Sequence, residues 1–343
     1  MKLEESREVD RVTRGSVGHG EPPAREPARA RPRLAIVIPC FNEEPVVRET
    51  AERVVGVLRD LQATEQIAPD SFIYFIDDGS SDRTWKLFCE LNQANPQIKG
   101  LKLARNFGHQ NALLAGLMGV RGRADCVVSI DADLQQDERA IYAFLEKYRQ
   151  GADIVNGVRR SAGTDSVTKK LGSAIFYWLM RAMGTKIIRD QPDYRLISAK
   201  VLDALMDYKE VNLFLRGIFA GIGFKSEIVY YDERERRAGT THYSIAKMIG
   251  FALDGITSFS VMPLRMIAVG GILITLVALA IGAFVVLSAL RGNVVPGWAS
   301  TVLPIYVLGG LQIMIIGLVA EYIGKIYSEV KQRPRFLREE ELP

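Results

Sequence analysis

Asp131 and Asp133, within Asp131-Ala132-Asp133-Leu134-Gln135, are the side chains whose types and spacing most invite chemistry. They follow the apolar run Cys126-Val127-Val128-Ser129-Ile130, which reads as a buried strand. Two carboxylates two positions apart at a strand end can reach one divalent cation, directly or through water. Mg²⁺ takes a few carboxylates together with phosphate oxygens and waters. Mg²⁺ or Mn²⁺ so held can bridge a diphosphate and neutralise the charge that builds as it leaves. Paired aspartates also cap helices and occupy turns, so the pair gains meaning from two further polar clusters. Asp77-Asp78-Gly79-Ser80 follows a second apolar run, where adjacent acids suit a nucleobase imide or ribose hydroxyls and Gly79 allows a tight turn. Pro39-Cys40-Phe41-Asn42-Glu43-Glu44 closes a third. A merely structural sheet does not require polar clusters at three strand ends.

Strands must bring those ends together. Short apolar runs predict strands at 34–38, 72–76, 98–103, 126–130 and 154–158. Between them, helical patterning predicts helices near 45–61, 84–94, 110–120 and 138–149. This β/α alternation implies an α/β domain with a mainly parallel sheet, helices on both faces and ligands at the carboxyl ends of the strands. No Gly-x-Gly-x-x-Gly follows the first strand, which disfavours a nicotinamide enzyme. The net charge of +4 in 343 residues does not suggest a nucleic-acid binder. Cys40, Cys89 and Cys126 lack CxxC spacing and read as buried free thiols, and the three scattered histidines make a His/Cys zinc site improbable.

The chain divides by composition. Residues 1–33 are rich in Arg, Glu, Pro and Gly without apolar periodicity and read as a disordered arm, with no signal-peptide pattern. The folded domain occupies 34–243. The mixed apolar and charged segment 244–265 suits a helix lying along a bilayer surface. Within 266–324, the stretches 266–290 and 302–323 read as two transmembrane helices; the uncharged part of the first spans about 37 Å and that of the second about 28 Å as helix. The basic tail 325–343, with Lys325, Lys331, Arg333, Arg335 and Arg338, places both ends in the cytoplasm by the positive-inside rule.

The ordered succession of the three clusters with Arg105-Asn106-Phe107-Gly108 resembles the family-two inverting glycosyltransferases of GT-A (Rossmann-like) fold. Within them the chain resembles the polyisoprenyl-phosphate branch, which includes dolichyl-phosphate mannose synthases and bactoprenol glucosyltransferases. The resemblance covers about residues 33 to 338. It implies a nucleotide subsite around Pro39, Phe41, Glu43, Asp77, Asp78 and Arg105, with Glu43 and Asp78 on the nucleoside. It implies that Asp131 and Asp133 hold the metal and diphosphate, with Gln135 near the reacting phosphates or sugar. Asp193-Tyr194-Arg195 resembles the family's Asp-aromatic-Arg segment near sugar and acceptor, and Asp193 is a base or an orienting carboxylate. Arg237, Gly239 and the run Thr240 to Tyr243 resemble the mobile loop that closes over the phosphates; His242 stands where many relatives carry Lys. Arg159, Arg160, Lys169 and Lys170 suit an acceptor phosphate or anionic lipid, or else a solvated basic face. His109 reads as a helix-start or packing residue.

The function implied is transfer of a sugar from a nucleotide-sugar to a polyisoprenyl (undecaprenyl) phosphate, with inversion, at the cytoplasmic face of a bacterial inner membrane. UDP-glucose is the first choice of donor, with GDP-mannose and UDP-linked amino sugars open, and homo-oligomerisation is also open. A processive polysaccharide synthase of the same fold is the alternative, disfavoured by the lack of a Gln-x-x-Arg-Trp motif. The remaining alternative is a non-catalytic membrane lipid-binding scaffold, which would not need the paired aspartates.

Overall fold

Seven consecutive buried residues, Leu34–Cys40, form strand β1, and they divide by the two-residue period of a strand. Leu34, Ile36, Ile38 and Cys40 enter one apolar cluster, while Ala35 and Val37 enter another on the opposite face. A strand buried on both faces needs helices above and below it. The computed structural model describes residues 31–133, 135–160, 192–210, 215–232, 262–291 and 298–343. Most of the arm, the segment 244–261, Lys169, Lys170, Arg237, Gly239 and His242 lie outside the described residues.

The remaining described strands are β2 (Phe72–Asp77), β3 (Ile98–Leu103), β4 (Cys126–Ser129), β5 (Ile154–Arg159), β6 (Arg195–Ser198), β7 (Ser226–Tyr231) and β8 (Arg338–Leu342). They form one sheet in the order β7-β5-β6-β4-β1-β2-β3-β8. β1 pairs in parallel with β2 and β4, and β2 with β3, as the β/α alternation requires. The sheet is nevertheless mixed: β6 runs antiparallel between β4 and β5, and β8 antiparallel to β3.

The described helices are α1 (Val47–Ala63), α2 (Thr84–Ala94), α3 (His109–Val120), α4 (Ala140–Arg149), α5 (Ala199–Leu205), α6 (Leu215–Gly221), α7 (Met262–Leu290) and α8 (Trp298–Val330). One core includes Leu58 of α1, Phe88 of α2 and Phe144 of α4, with the Phe75 and Phe88 rings stacked 4.8 Å apart. The other includes Leu113 of α3, Leu202 of α5 and Phe219 of α6. Each such fully buried side chain contributes about 1.5–3 kcal/mol. The small residues of α3 permit a close approach to the sheet: a Cβ at Gly116 would lie 2.4 Å from Val37 Cγ1.

Beyond the domain, α8 contains one stretch, Leu308–Val330, long and apolar enough to cross a membrane. In α7 the corresponding apolar stretch is the shorter Val269–Ile281, so the expected pair of spans meets that length and apolarity in one helix. Both helices expose large apolar side chains, Phe284 and Ile313 among them, as surfaces facing lipid or a partner do. The segment 325–343, read from sequence as a basic tail, is not one uniform tail. Helix α8 continues to Val330, and Arg338–Leu342 joins the sheet as β8. Leu342 lies against Gly100, Tyr74 Oη donates to Glu341 and Trp85 Nε1 donates to Glu340. The run Arg338-Glu339-Glu340-Glu341-Leu342 carries too little apolar content for a strand to be predicted.

Candidate active site

The three polar clusters fall at the ends of adjacent parallel strands β2, β1 and β4, as expected. At β2, Asp77 and Asp78 are both buried. Asp78 accepts backbone N–H groups from Phe107 (2.8 Å) and Gly108 (2.9 Å), which pins the Arg105-to-Gly108 turn to the strand end. Burial pushes the Asp78 carboxyl up, against those two bonds. Asp77 Oδ1 accepts Ser80 N–H (3.1 Å), whereas its buried Oδ2 has no partner among the described residues; burial pushes this carboxyl up too. Gly79 has φ +68, and a Cβ there would lie 2.3 Å from Arg105 C. Only glycine lets the two loops approach so closely.

The β1 loop is tied to the same place. Asn42, with φ 56, donates its N–H to Ser80 Oγ (2.9 Å), and its Oδ1 accepts Ser81 N–H (2.8 Å). Glu43 N–H donates to Thr84 Oγ1 (3.0 Å), and Glu44 Oε2 accepts Arg83 N–H (3.1 Å). Pro39 is buried inside β1, opposite Ile76, while Phe41 is exposed. Arg105 is exposed with its guanidinium 4.0 Å from the Phe107 ring centroid.

At β4, Asp131 is clasped by Gln136. The Gln136 Nε2 donates to Asp131 Oδ2 (2.5 Å), and Asp131 N–H donates to Gln136 Oε1 (2.9 Å). Asp133 Oδ1 accepts the Gln135 N–H (3.2 Å). The Asp131 carboxyl is raised to about 6, chiefly by loss of water around it, with Asp193 and Asp133 adding to the effect and His109 opposing it. Two neighbouring carboxylates, one with its charge so disfavoured, form a donor set that a divalent cation would stabilise. Two carboxylates suit Mg²⁺ or Mn²⁺ sharing phosphate oxygens, and among the described residues no group of three or more His, Cys, Asp or Glu side chains suggests a fully protein-ligated metal.

Asp193 lies just before β6 and is buried. Its Oδ1 accepts from Arg195 Nη2 (2.9 Å) and Arg216 Nε (3.2 Å), and its Oδ2 from Gln110 Nε2 (2.7 Å) and Arg216 Nη2 (3.1 Å). Burial pushes the carboxyl up, but the Arg195 and Arg216 guanidiniums outweigh it and hold Asp193 below the usual carboxylate range. Arg195 is buried over the Phe219 ring at 4.7 Å, and burial lowers its guanidinium to about 10. Tyr194 between them is buried beside Phe144 and Tyr231.

Four participants were not assigned such roles from sequence. His109 begins α3, as expected, but its Nε2 also lies 3.6 Å from Asp131 Oδ1 and 3.8 Å from Asp193 Oδ2. Gln110 carries its amide to Asp193 and its Oε1 to Leu215 N–H (3.2 Å). Arg216 arrives from α6, and Gln136 from the loop after β4. Gln136 adjoins the acidic motif and was the one within reach of a local reading. The other three acquire meaning only through tertiary contacts. Of the basic pair at the end of β5, Arg160 is exposed and 3.6 Å from Asp232, so that arginine sits in a solvated pair.

Residues 35–205 match the family described as Glycosyl transferase family 2. The chain is 51% identical over 310 residues to an uncharacterized glycosyltransferase, YkoT, of Bacillus subtilis (strain 168), covering 90% of this chain and 91% of that one. It is 36% identical over 308 residues to a bactoprenol glucosyl transferase of Shigella phage SfX, covering 89% of this chain and 98% of that one. Glucosyl-3-phosphoglycerate synthase from Mycobacterium tuberculosis, solved with Mn²⁺, UDP and glucosyl-3-phosphoglycerate, is similar at a TM-score of 0.41 and 17% identity. That similarity covers 67% of this chain and 77% of that one.

Proposed function

We propose a function from one premise: this chain belongs to glycosyl transferase family 2. The enzyme moves a hexose from a nucleotide-sugar, UDP-glucose first, to a polyisoprenyl phosphate in a membrane, inverting the anomeric carbon. The observation that carries this reading is the grouping of Asp131 and Asp133 at β4 beside the acidic loops of β1 and β2, in a chain bearing a long apolar helix. The 36% identity to a bactoprenol glucosyl transferase supports the acceptor class.

In this reading an oxygen of the acceptor phosphate forms a bond to the anomeric carbon. The bond from that carbon to the donor diphosphate breaks, and its electron pair leaves with the nucleoside diphosphate. The attacking oxygen is already anionic near neutral pH, so no proton has to be removed. Asp193, held by two guanidiniums and an amide, acts as an orienting carboxylate rather than a base. Asp131 and Asp133 would hold Mg²⁺ or Mn²⁺, which supplies charge for the departing diphosphate. Gln136 keeps Asp131 in one orientation, and Gln135 lies next to that pair. Glu43, Asp77, Asp78 and Arg105, with the backbone at Pro39 and Phe41, line the nucleotide side. Most of the acceleration comes from alignment and electrostatic stabilisation.

The membrane arrangement under the same reading is a hairpin of α7 and α8, spanning 266–290 and 302–323, preceded by the interfacial segment 244–265. Both termini lie in the cytoplasm of a bacterial cell, and Arg237 belongs to a loop that closes over the phosphates. The test is a donor panel with purified protein, polyisoprenyl phosphate, and Mg²⁺ or Mn²⁺. UDP-glucose is expected to give a polyisoprenyl-phosphate hexose, and Asp131→Ala or Asp133→Ala to abolish transfer while far-UV circular dichroism stays unchanged. Full activity of the double variant in chelator would sink the metal assignment. Failure of every isoprenyl phosphate as acceptor would sink the lipid assignment.

A further inference from the structure

Ala132 separates the two aspartates of the proposed cation site, and it is anchored in the interior while they are only partly buried. Its side chain enters the apolar cluster that also takes in Val47, Ala51 and Val54 of α1. Its carbonyl oxygen accepts the hydroxyl of Thr50, again from α1, at 2.8 Å. Thr50 is itself buried, at 1% exposure. Its hydroxyl has one proton and two oxygens within reach, Ala132 O at 2.8 Å and Val46 O at 2.9 Å. Val46 O already receives the Thr50 N–H at 2.9 Å, as a helix requires. The hydroxyl proton therefore has its use at Ala132 O, which lies in a turn outside the sheet ladder. Leaving a buried carbonyl without a donor is unfavourable, so this bond fixes the backbone between the two carboxylates.

The place of Thr50 on its helix adds to the argument. Helix α1 grows directly out of the β1 loop, with Glu43 O accepting the Val46 and Val47 N–H groups at 3.0 and 3.1 Å. One turn further on, Thr50 reaches the loop that follows β4. A single helix thus holds the acidic loop of β1 at its start and the Asp131–Asp133 turn through one hydroxyl. Gln136 grips Asp131 alone. Thr50 grips the backbone between the pair, and so governs their separation.

We propose that Thr50 is a positioning residue for the divalent cation: through Ala132 O it fixes the distance and direction between the Asp131 and Asp133 carboxylates, touching neither cation nor substrate. This inference rests on the cation reading above. Mg²⁺ demands near-ideal octahedral geometry, so a small displacement of one carboxylate lowers affinity. Groups that hold ligands in place are accordingly felt in metal binding although they make no bond to the metal.

The experiment titrates Mn²⁺ into the full-length protein in detergent with UDP present, followed by electron paramagnetic resonance. A protein-free arm corrects for Mn²⁺ held by UDP itself. Wild type is compared with Thr50→Val, Thr50→Ala and Thr50→Ser. Thr50→Val keeps the bulk and loses the hydroxyl, Thr50→Ala loses both, and Thr50→Ser keeps the hydroxyl and loses the methyl group. Mn²⁺ affinity is expected to fall about 10-fold in Thr50→Val and Thr50→Ala, and to stay within about 2-fold of wild type in Thr50→Ser. The Mn²⁺ concentration for half-maximal transfer is expected to rise by the same factor, with kcat largely recovered at saturating Mn²⁺. Cooperative thermal unfolding in chelator, where no cation contributes, reports whether each variant is folded. Wild-type Mn²⁺ affinity in Thr50→Val and Thr50→Ala overturns the inference, even if their thermal midpoints fall, and leaves the cation assignment standing. Binding as weak in Thr50→Ser as in Thr50→Ala would trace the effect to lost bulk and overturns it as well. So does loss of cooperative unfolding in both Thr50→Val and Thr50→Ala, which makes Thr50 a residue of the fold alone. If wild type binds no Mn²⁺ beyond that held by UDP, the inference and the cation assignment fall together.

Discussion

The β1–β2 side and the β6–α6 side of the strand ends are held together by different kinds of bond. On the first, side-chain oxygens of Asn42, Glu44, Asp77 and Asp78 receive backbone N–H groups from Ser81, Arg83, Ser80, Phe107 and Gly108. On the second, Asp193 receives side chains from α3, β6 and α6. Backbone donors are present whatever the residue, so the first side depends on the path of its loops. The second depends on which side chains three distant segments supply, and on the balance of their charges. The first side is fixed mainly by loop shape, while the second is held largely by electrostatics.

The largest expected difference between the two sides comes from removing their central carboxylates. Asp193→Ala leaves the buried Arg195 charge without its partner, an outcome that costs about 3–5 kcal/mol. Asp78→Ala leaves two backbone N–H groups without their acceptor, at about 2 kcal/mol in total. Urea unfolding of the two variants measures both, and equal losses would erase the distinction. Gly79→Ala attacks loop path alone, through its positive φ and the 2.3 Å approach to Arg105, and is expected to cost about 1–3 kcal/mol. A wild-type midpoint for that variant would mean the loops tolerate another path.

The smallest effect is in acid. Asp193 has a folded pKa below its unfolded value near 3.8, so it stabilises the fold above that value and the contribution is lost as pH falls below about 4. Asp77 and Asp78 have raised values, so their charged forms oppose folding, and protonation relieves them at a pH above 3.8. Asp193→Asn is therefore expected to flatten the acid limb of stability below about pH 4, read as the thermal midpoint against pH. An unchanged slope would place the acid-sensitive groups elsewhere.

The same contrast explains what the sequence disclosed. The first five strands and four helices were legible because each is a local period, two or 3.6 residues, bounded by polar turns. The acidic clusters were legible because each is contiguous and follows a strand. The Asp193 site was only half legible: Asp193 and Arg195 stood out as a short motif, but Arg216 and Gln110 are ordinary residues on helices until the fold brings them to one carboxylate. His109 was assigned to its helix start, correctly, yet nothing local to it indicates two carboxylates within 4 Å. Strand β6 escaped because it is four residues long, and β8 because Arg-Glu-Glu-Glu-Leu has the composition of a solvated tail.

Strand β8 has a consequence for the order of assembly. The β3 edge is covered by residues that lie beyond both α7 and α8 in the chain, more than 230 positions after β3 itself. A ribosome therefore releases strands β1 to β7 with one edge still bare, and completes the described sheet only after both long apolar helices have been made. Bare edges invite pairing with other chains. Completion of the sheet is thereby linked to the fate of those helices. A chain whose two long helices have not yet settled keeps its β3 edge open for as long as Arg338–Leu342 is held away, which makes the unfinished protein the form most exposed to aggregation and proteolysis.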